Sequence, residues 1–132
     1  GLWGNLHNPS KFPDYEITNA SIHKNNPALT FNIMRSGGID TYGAFVTSVR
    51  VVDKEGHVHA HWNQKDLSSL KPAQIENHYI AKVHSGDNSL VTPLGARASI
   101  KLRLNDVDLV KKDHLMLEIE DISGKKWKSN IN

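Results

Sequence analysis

The run His57-Val58-His59-Ala60-His61-Trp62 spaces three imidazoles two residues apart. In a strand, side chains at that interval share one face. Imidazole nitrogen suits zinc, copper and nickel, and three such ligands around an open position make a catalytic zinc pattern. Distance limits this chemistry. His57 and His61 would stand about 13 Å apart at ~3.3 Å per residue. One ion therefore reaches two neighbouring histidines and needs a further ligand from elsewhere. Copper or zinc on His57, His59 or His61 is one reading. The other is the polar outer face of a hairpin strand, with Val58, Ala60 and Trp62 turned inward.

Lys125-Lys126-Trp127-Lys128 sets basic groups around an aromatic ring, a combination that attracts anions or stacks on single-stranded nucleic acid. One tryptophan and three lysines fit better an edge strand guarded by lysine against edge-to-edge pairing, with Trp127 packed inward. No nucleic-acid partner is expected. In the opening segment, Trp3, His7 and Phe12 stand among glycines, asparagines and prolines. They either staple an arm, residues 1–13, across the open end of the fold or line a surface for a partner or a small anion. No G-x-S-x-G turn, phosphate loop or dinucleotide fingerprint is present, so nothing orients a serine nucleophile or cradles a phosphate.

The elements carrying these groups read as strands. Period-2 alternation and turn residues recur, and helical periodicity is nearly absent. A first strand spans Tyr15 to His23, with Ile17, Asn19 and Ser21 on one face and Glu16, Thr18, Ala20 and Ile22 on the other. Asn25-Asn26-Pro27 turns the chain into a second strand whose Leu29, Phe31 and Ile33 oppose Thr30, Asn32 and Met34. Ala44 to Val52, the turn Asp53-Lys54-Glu55-Gly56, and His57 to Trp62 form the clearest hairpin. One helical turn fits within Gln64 to Pro72. Further strands follow at Ile75–Val83, Ser99–Leu104, Leu115–Glu120 and Lys125–Ile131. The expectation is an all-β, immunoglobulin-like β-sandwich of seven or eight antiparallel strands, with residues 1–132 as one domain.

Composition sets bounds on function. A chain of 132 residues, 38% apolar and 23% charged, has the make-up of an ordinary globular domain and needs no staple to hold its core. The formal charge of +2 is too small for a nucleic-acid binder. Protonating all eight histidines would raise it to +10, so anion affinity is expected to rise in acid. The absence of cysteine removes disulfides, thiol catalysis, thiolate zinc, iron–sulfur and type 1 copper chemistry. No stretch approaches the ~20 apolar residues of a membrane helix. The chain opens at Gly1 without methionine, and a membrane anchor lost upstream is the expectation.

Gly1-Leu2-Trp3-Gly4-Asn5-Leu6-His7-Asn8, then Arg35 with Asp40-Thr41-Tyr42-Gly43-Ala44-Phe45, resemble the small subunit, of DoxA type, of thiosulfate:quinone oxidoreductase. Pro93-Leu94-Gly95-Ala96-Arg97-Ala98 and the closing Asp121-Ile122-Ser123-Gly124-Lys125-Lys126-Trp127 fit the same plan. The resemblance implies a membrane-bound enzyme that joins two thiosulfates into tetrathionate and passes the electrons to quinone. It implies a domain on the outer face of the membrane, paired with a multi-helix subunit that handles the quinone, and no cofactor in this domain. Catalytic residues are not carried over. For an anion approached electrostatically, Arg35, carried by its loop, and His7 are the first contacts expected, then Arg97 and Trp3. Two other functions compete: an exported, histidine-rich metal-binding sandwich, and a non-catalytic module docking on a membrane complex through the Trp3 arm.

Overall fold

Leu29, Phe31 and Ile33 are buried while Thr30, Asn32 and Met34 between them are only half-buried, so the second strand obeys the alternation of its sequence. The computed structural model describes residues 14–37, 45–70, 75–77, 81–82, 88–91, 97–106, 108–109 and 112–132. Among them the strands are β1 (Asp14–His23), β2 (Ala28–Gly37), β3 (Phe45–Val52), β4 (Val58–Asn63) and β5 (Ile75–Asn77). Then come β6 (Ala81–Lys82), β7 (Asn88–Val91), β8 (Arg97–Arg103), β9 (Met116–Asp121) and β10 (Lys126–Asn130). Seven of these ten have five or more residues, in line with the expected seven or eight strands.

One sheet runs β1-β2-β8-β5; the other runs β10-β9-β3-β7-β6, with β4 also paired to β3. Every pairing is antiparallel. In chain order this is the A-B-E-D sheet and the G-F-C sheet of an immunoglobulin-like sandwich, with β6 and β7 added between the D and E positions. The core lies between the sheets. Leu29, Phe31, Ile100 and Leu102 from the first meet Val49, Val51, Leu117 and Ile119 from the second in one buried cluster. Each such side chain contributes about 1.5–3 kcal/mol by leaving water.

Three local features depart from simple alternation. In β1 the pairing shifts between Thr18↔Asn32 and Ser21↔Thr30, and Asn19 takes the left-handed backbone at φ 56. This bulge reverses the inward face, so Tyr15 and Ile17 before it and Ala20 and Ile22 after it all pack on the core. The facing expected for Ile17 is thereby corrected. The strand expected over Ile75–Val83 is divided: β5 pairs β8 in one sheet and β6 pairs β7 in the other. The expected helical turn is α1 (Gln64–Ser68). It starts with a capping box, in which Asp66 N–H donates to Asn63 Oδ1 and Asn63 N–H to Asp66 Oδ2, each at 3.0 Å, satisfying two orphan donors.

The two sheets are tied along the β1/β10 side. Asn132 N–H donates to the Ala20 carbonyl at 3.0 Å, and the Trp127 indole donates to Asp14. Among the described residues no helix is long and apolar enough to cross a membrane.

Candidate functional site: the histidine hairpin and the arginine end

Asp53 organises the β3–β4 turn. Its N–H donates to the His57 carbonyl and its own carbonyl accepts from Gly56 N–H, both at 3.0 Å. Gly56 sits at φ 89, where glycine is favoured. The carboxylate is fully engaged. Oδ1 accepts from Glu55 N–H at 3.0 Å and His57 N–H at 2.9 Å, while Oδ2 lies 2.8 Å from His59 Nε2 and 3.3 Å from His57 Nδ1. An ionised carboxylate only accepts, so His59 carries its proton on Nε2. The His59 bond is the chief reason that Asp53 titrates well below the usual carboxylate range. Burial opposes it as the next largest effect, and the two backbone donors and the nearby His57 ring each add a smaller lowering.

This arrangement separates the three histidines. The β3–β4 pairing shifts between Val51↔Ala60 and Val52↔Val58, which leaves His59 at a bulge without an opposite residue. His57 and His59 both turn to Asp53, whereas His61 Nε2 lies 3.1 Å from Ser48 Oγ. The single face expected from the i, i+2 spacing is thus broken by one extra residue. Ala60 and Trp62 pack against the core as expected. Val58, expected inward, is 53% exposed, because the bulge reverses its side. Asp53, Glu55 and His57 do bring one potential ligand atom each within 4.8 Å of one another. Both Asp53 oxygens already serve the turn, so a cation there would have to displace its donors.

The opposite end gathers the starts of β1, β3, β8 and β10 and the ends of β2, β7 and β9. Arg35 follows Leu29, Phe31 and Ile33 in phase and is 1% exposed. It is therefore an inward-facing strand residue, not the loop-borne group expected. Its guanidinium carbon stands 5.9 Å from the centroid of Tyr15, its register partner, within cation–π range. The Tyr15 ring meets Trp127 edge-on, with centroids 4.8 Å apart and planes at 83°. Lys125 Nζ covers Trp127 at 5.3 Å. Arg35, Tyr15, Trp127 and Lys125 form a cation–aromatic column joining the sheets, and Asp14 anchors it by accepting from Trp127 Nε1–H at 2.6 Å.

Arg97 opens β8, and Met34, next to Arg35, is its register partner. The two arginines thus share one end of one sheet; the Arg97 side chain, like Trp3 and His7, lies outside the described residues. The lysine cluster divides as an edge strand should. Trp127 is half-buried, Lys126 points out, and Lys128 Nζ lies 3.8 Å from Glu118 Oε2. Sequence reasoning missed the partners Asp14 and Tyr15. It also missed the burial of Asp121, whose Oδ1 accepts from Ser123 N–H at 3.0 Å and from the Ser123 hydroxyl. The Asp-x-Ser-Gly turn was the available signal for the last.

Strand order and site together define an immunoglobulin-like sandwich with a carboxylate-clasped histidine hairpin at one end and a buried arginine–aromatic column at the other. Residues 1–130 match the family described as TQO small subunit DoxA, so the chain belongs to the family of small subunits of thiosulfate:quinone oxidoreductase. A small subunit implies a partner subunit. No curated protein and no solved structure matches the chain.

Proposed function

We propose that this chain is the extramembrane part of a membrane-bound enzyme that oxidises thiosulfate to tetrathionate and delivers the electrons to quinone. The observation that carries the reading is the family match over residues 1–130. In the reaction each of two thiosulfates gives up one electron and a sulfur–sulfur bond forms between them. A quinone takes the two electrons, with two protons, and becomes quinol. With no cysteine among these 132 residues, none of them holds a sulfur of the substrate on a thiol. The quinone belongs to a multi-helix partner, and the domain stands on the outer face of the membrane, anchored there in the full protein.

The task left to this subunit is electrostatic. Two dianions must approach, and their repulsion grows as water is excluded. Cationic groups offset it when they are fixed in place before the anions arrive. Arg97, which opens β8, His7 and Trp3 are the proposed anion contacts, and Arg35 holds the Tyr15–Trp127 column. The test is thiosulfate-dependent reduction of a short-chain quinone by membranes carrying this chain and its partner subunit. Membranes lacking this chain should lose the activity; an unchanged rate would refute the reading.

A further inference from the structure

On the flank of the sandwich, the strand β4 faces the segment that follows β8 across a hollow of about 170 Å³. Its lining combines two kinds of surface. Trp62, Ala60 and the buried Leu104 and Leu109 supply an apolar floor. The exposed Arg103 and Asn105 supply nitrogen donors beside it, and the rings of His59 and His61 complete the lining. Arg103 brings a permanent positive charge, and its guanidinium presents several donors in one plane. The carboxylate at the rim, Asp106, is partly occupied, since its Oδ1 accepts from Asp108 N–H at 2.9 Å. His59 is held by Asp53 and His61 by Ser48, so both rings are fixed without any ligand.

We infer that this hollow binds a small oxyanion with one polarisable, weakly hydrated end and one charged, oxygen-bearing end. The floor of Trp62 and leucines takes the first, and Arg103 with the neighbouring donors takes the second. Sulfate has oxygens on every side and would have to strip hydration from one of them against the apolar floor, which disfavours it. Thiosulfate has the required asymmetry. The inference rests on the proposed function for its ligand, but names a position distinct from the arginine end. A reaction that consumes two thiosulfates has use for a second anion position.

The three tryptophans separate the possibilities, because Trp62 lines the hollow, Trp127 lies at the other end, and Trp3 is the third residue of the sequence. The experiment is a titration of the ¹⁵N-labelled full chain with thiosulfate, and separately with sulfate, following the indole N–H signals assigned by Trp62→Phe and Trp127→Phe. The Trp62 signal should move saturably with thiosulfate and at least about tenfold more weakly with sulfate. Arg103→Ala should weaken thiosulfate binding about tenfold, as expected for loss of a charge-assisted contact. Its thermal midpoint should hold, since Arg103 is exposed. Movement of Trp127 or Trp3 alone would overturn the hollow as the site and leave the proposed function standing. No movement of any indole, together with no calorimetric heat, would overturn the hollow and the proposed anion contacts Arg97, His7 and Trp3 alike.

Discussion

The indole nitrogen of Trp127 donates to Asp14 Oδ1 at 2.6 Å, across 113 residues of chain. This bond joins the first strand of one sheet to the last strand of the other, at the end where Arg35 and Tyr15 stack. Trp127→Phe keeps an aromatic ring beside Tyr15 and removes the donor together with part of the indole surface. The expected cost includes the hydrogen bond's share of about 1 kcal/mol, toward the low end for a bond to a charged group because both partners reach solvent. Urea unfolding of the variant against the parent measures it. Asp14→Asn should lose part of the same increment, and the two losses should not add.

Asp53 makes the β3–β4 hairpin resistant to acid. Its carboxyl titrates below the ordinary range in the folded chain, chiefly through His59. A carboxyl depressed on folding stabilises above its unfolded value, near pH 4, and that stability is lost only as pH falls through the lower folded value. The amide signals of Glu55 and His57 should therefore keep their native shifts at pH 4 and begin to move only well below it. In Asp53→Ala those signals should already be displaced at pH 7. Movement of the parent's signals with a midpoint near pH 4 would contradict the clasp.

Arg50 sits between two carboxylates on the outer face of the second sheet, 3.1 Å from Glu118 Oε1 and 3.2 Å from Glu120 Oε1. Glu118 is buried, so removing Arg50 leaves a poorly hydrated charge with only the longer Lys128 contact, at 3.8 Å. Arg50→Met should cost about 1–3 kcal/mol, below the range for fully buried pairs because Arg50 is partly exposed. Adding Glu118→Gln to Arg50→Met should recover part of that loss. A double-mutant cycle in urea reads the coupling.

Leu117 is fully buried between the sheets and belongs to the cluster that both sheets share. Leu117→Ala should destabilise the domain by about 2–5 kcal/mol through lost transfer energy and the cavity left behind. A cost below about 1 kcal/mol by chemical denaturation would mean the sheets do not pack on this residue.

The alternation of Leu29, Phe31 and Ile33, the Asp53–Gly56 turn and the β9–β10 hairpin were legible because each is a local pattern tied to burial. The same rule extended one step places Arg35 inward; the Ser36-Gly37 pair beside it reads as a break, yet β2 runs on through Gly37. Bulges were not legible. The one in β1 depends on Asn19 accepting a left-handed backbone, and the one in β4 leaves His59 unopposed; neither position carries an obligatory residue. The histidine face failed for that reason, since a single extra residue turns a period-2 pattern to the other side. Nor does any local pattern announce Asp14 and Trp127 as partners, because their contact exists only once both sheets have formed. The split of Ile75–Val83 between sheets was hidden likewise, as a continuous strand pattern does not mark where pairing changes partner.

The central claim, that this small subunit meets thiosulfate directly, is tested most directly by calorimetric titration of the chain with thiosulfate at pH 4 and pH 7, with sulfate as control. The account predicts saturable binding that prefers thiosulfate to sulfate and tightens at pH 4 as histidines gain charge. Heat that is absent at both pH values, or equal for the two anions, would contradict it and leave a subunit that only docks on its membrane partner.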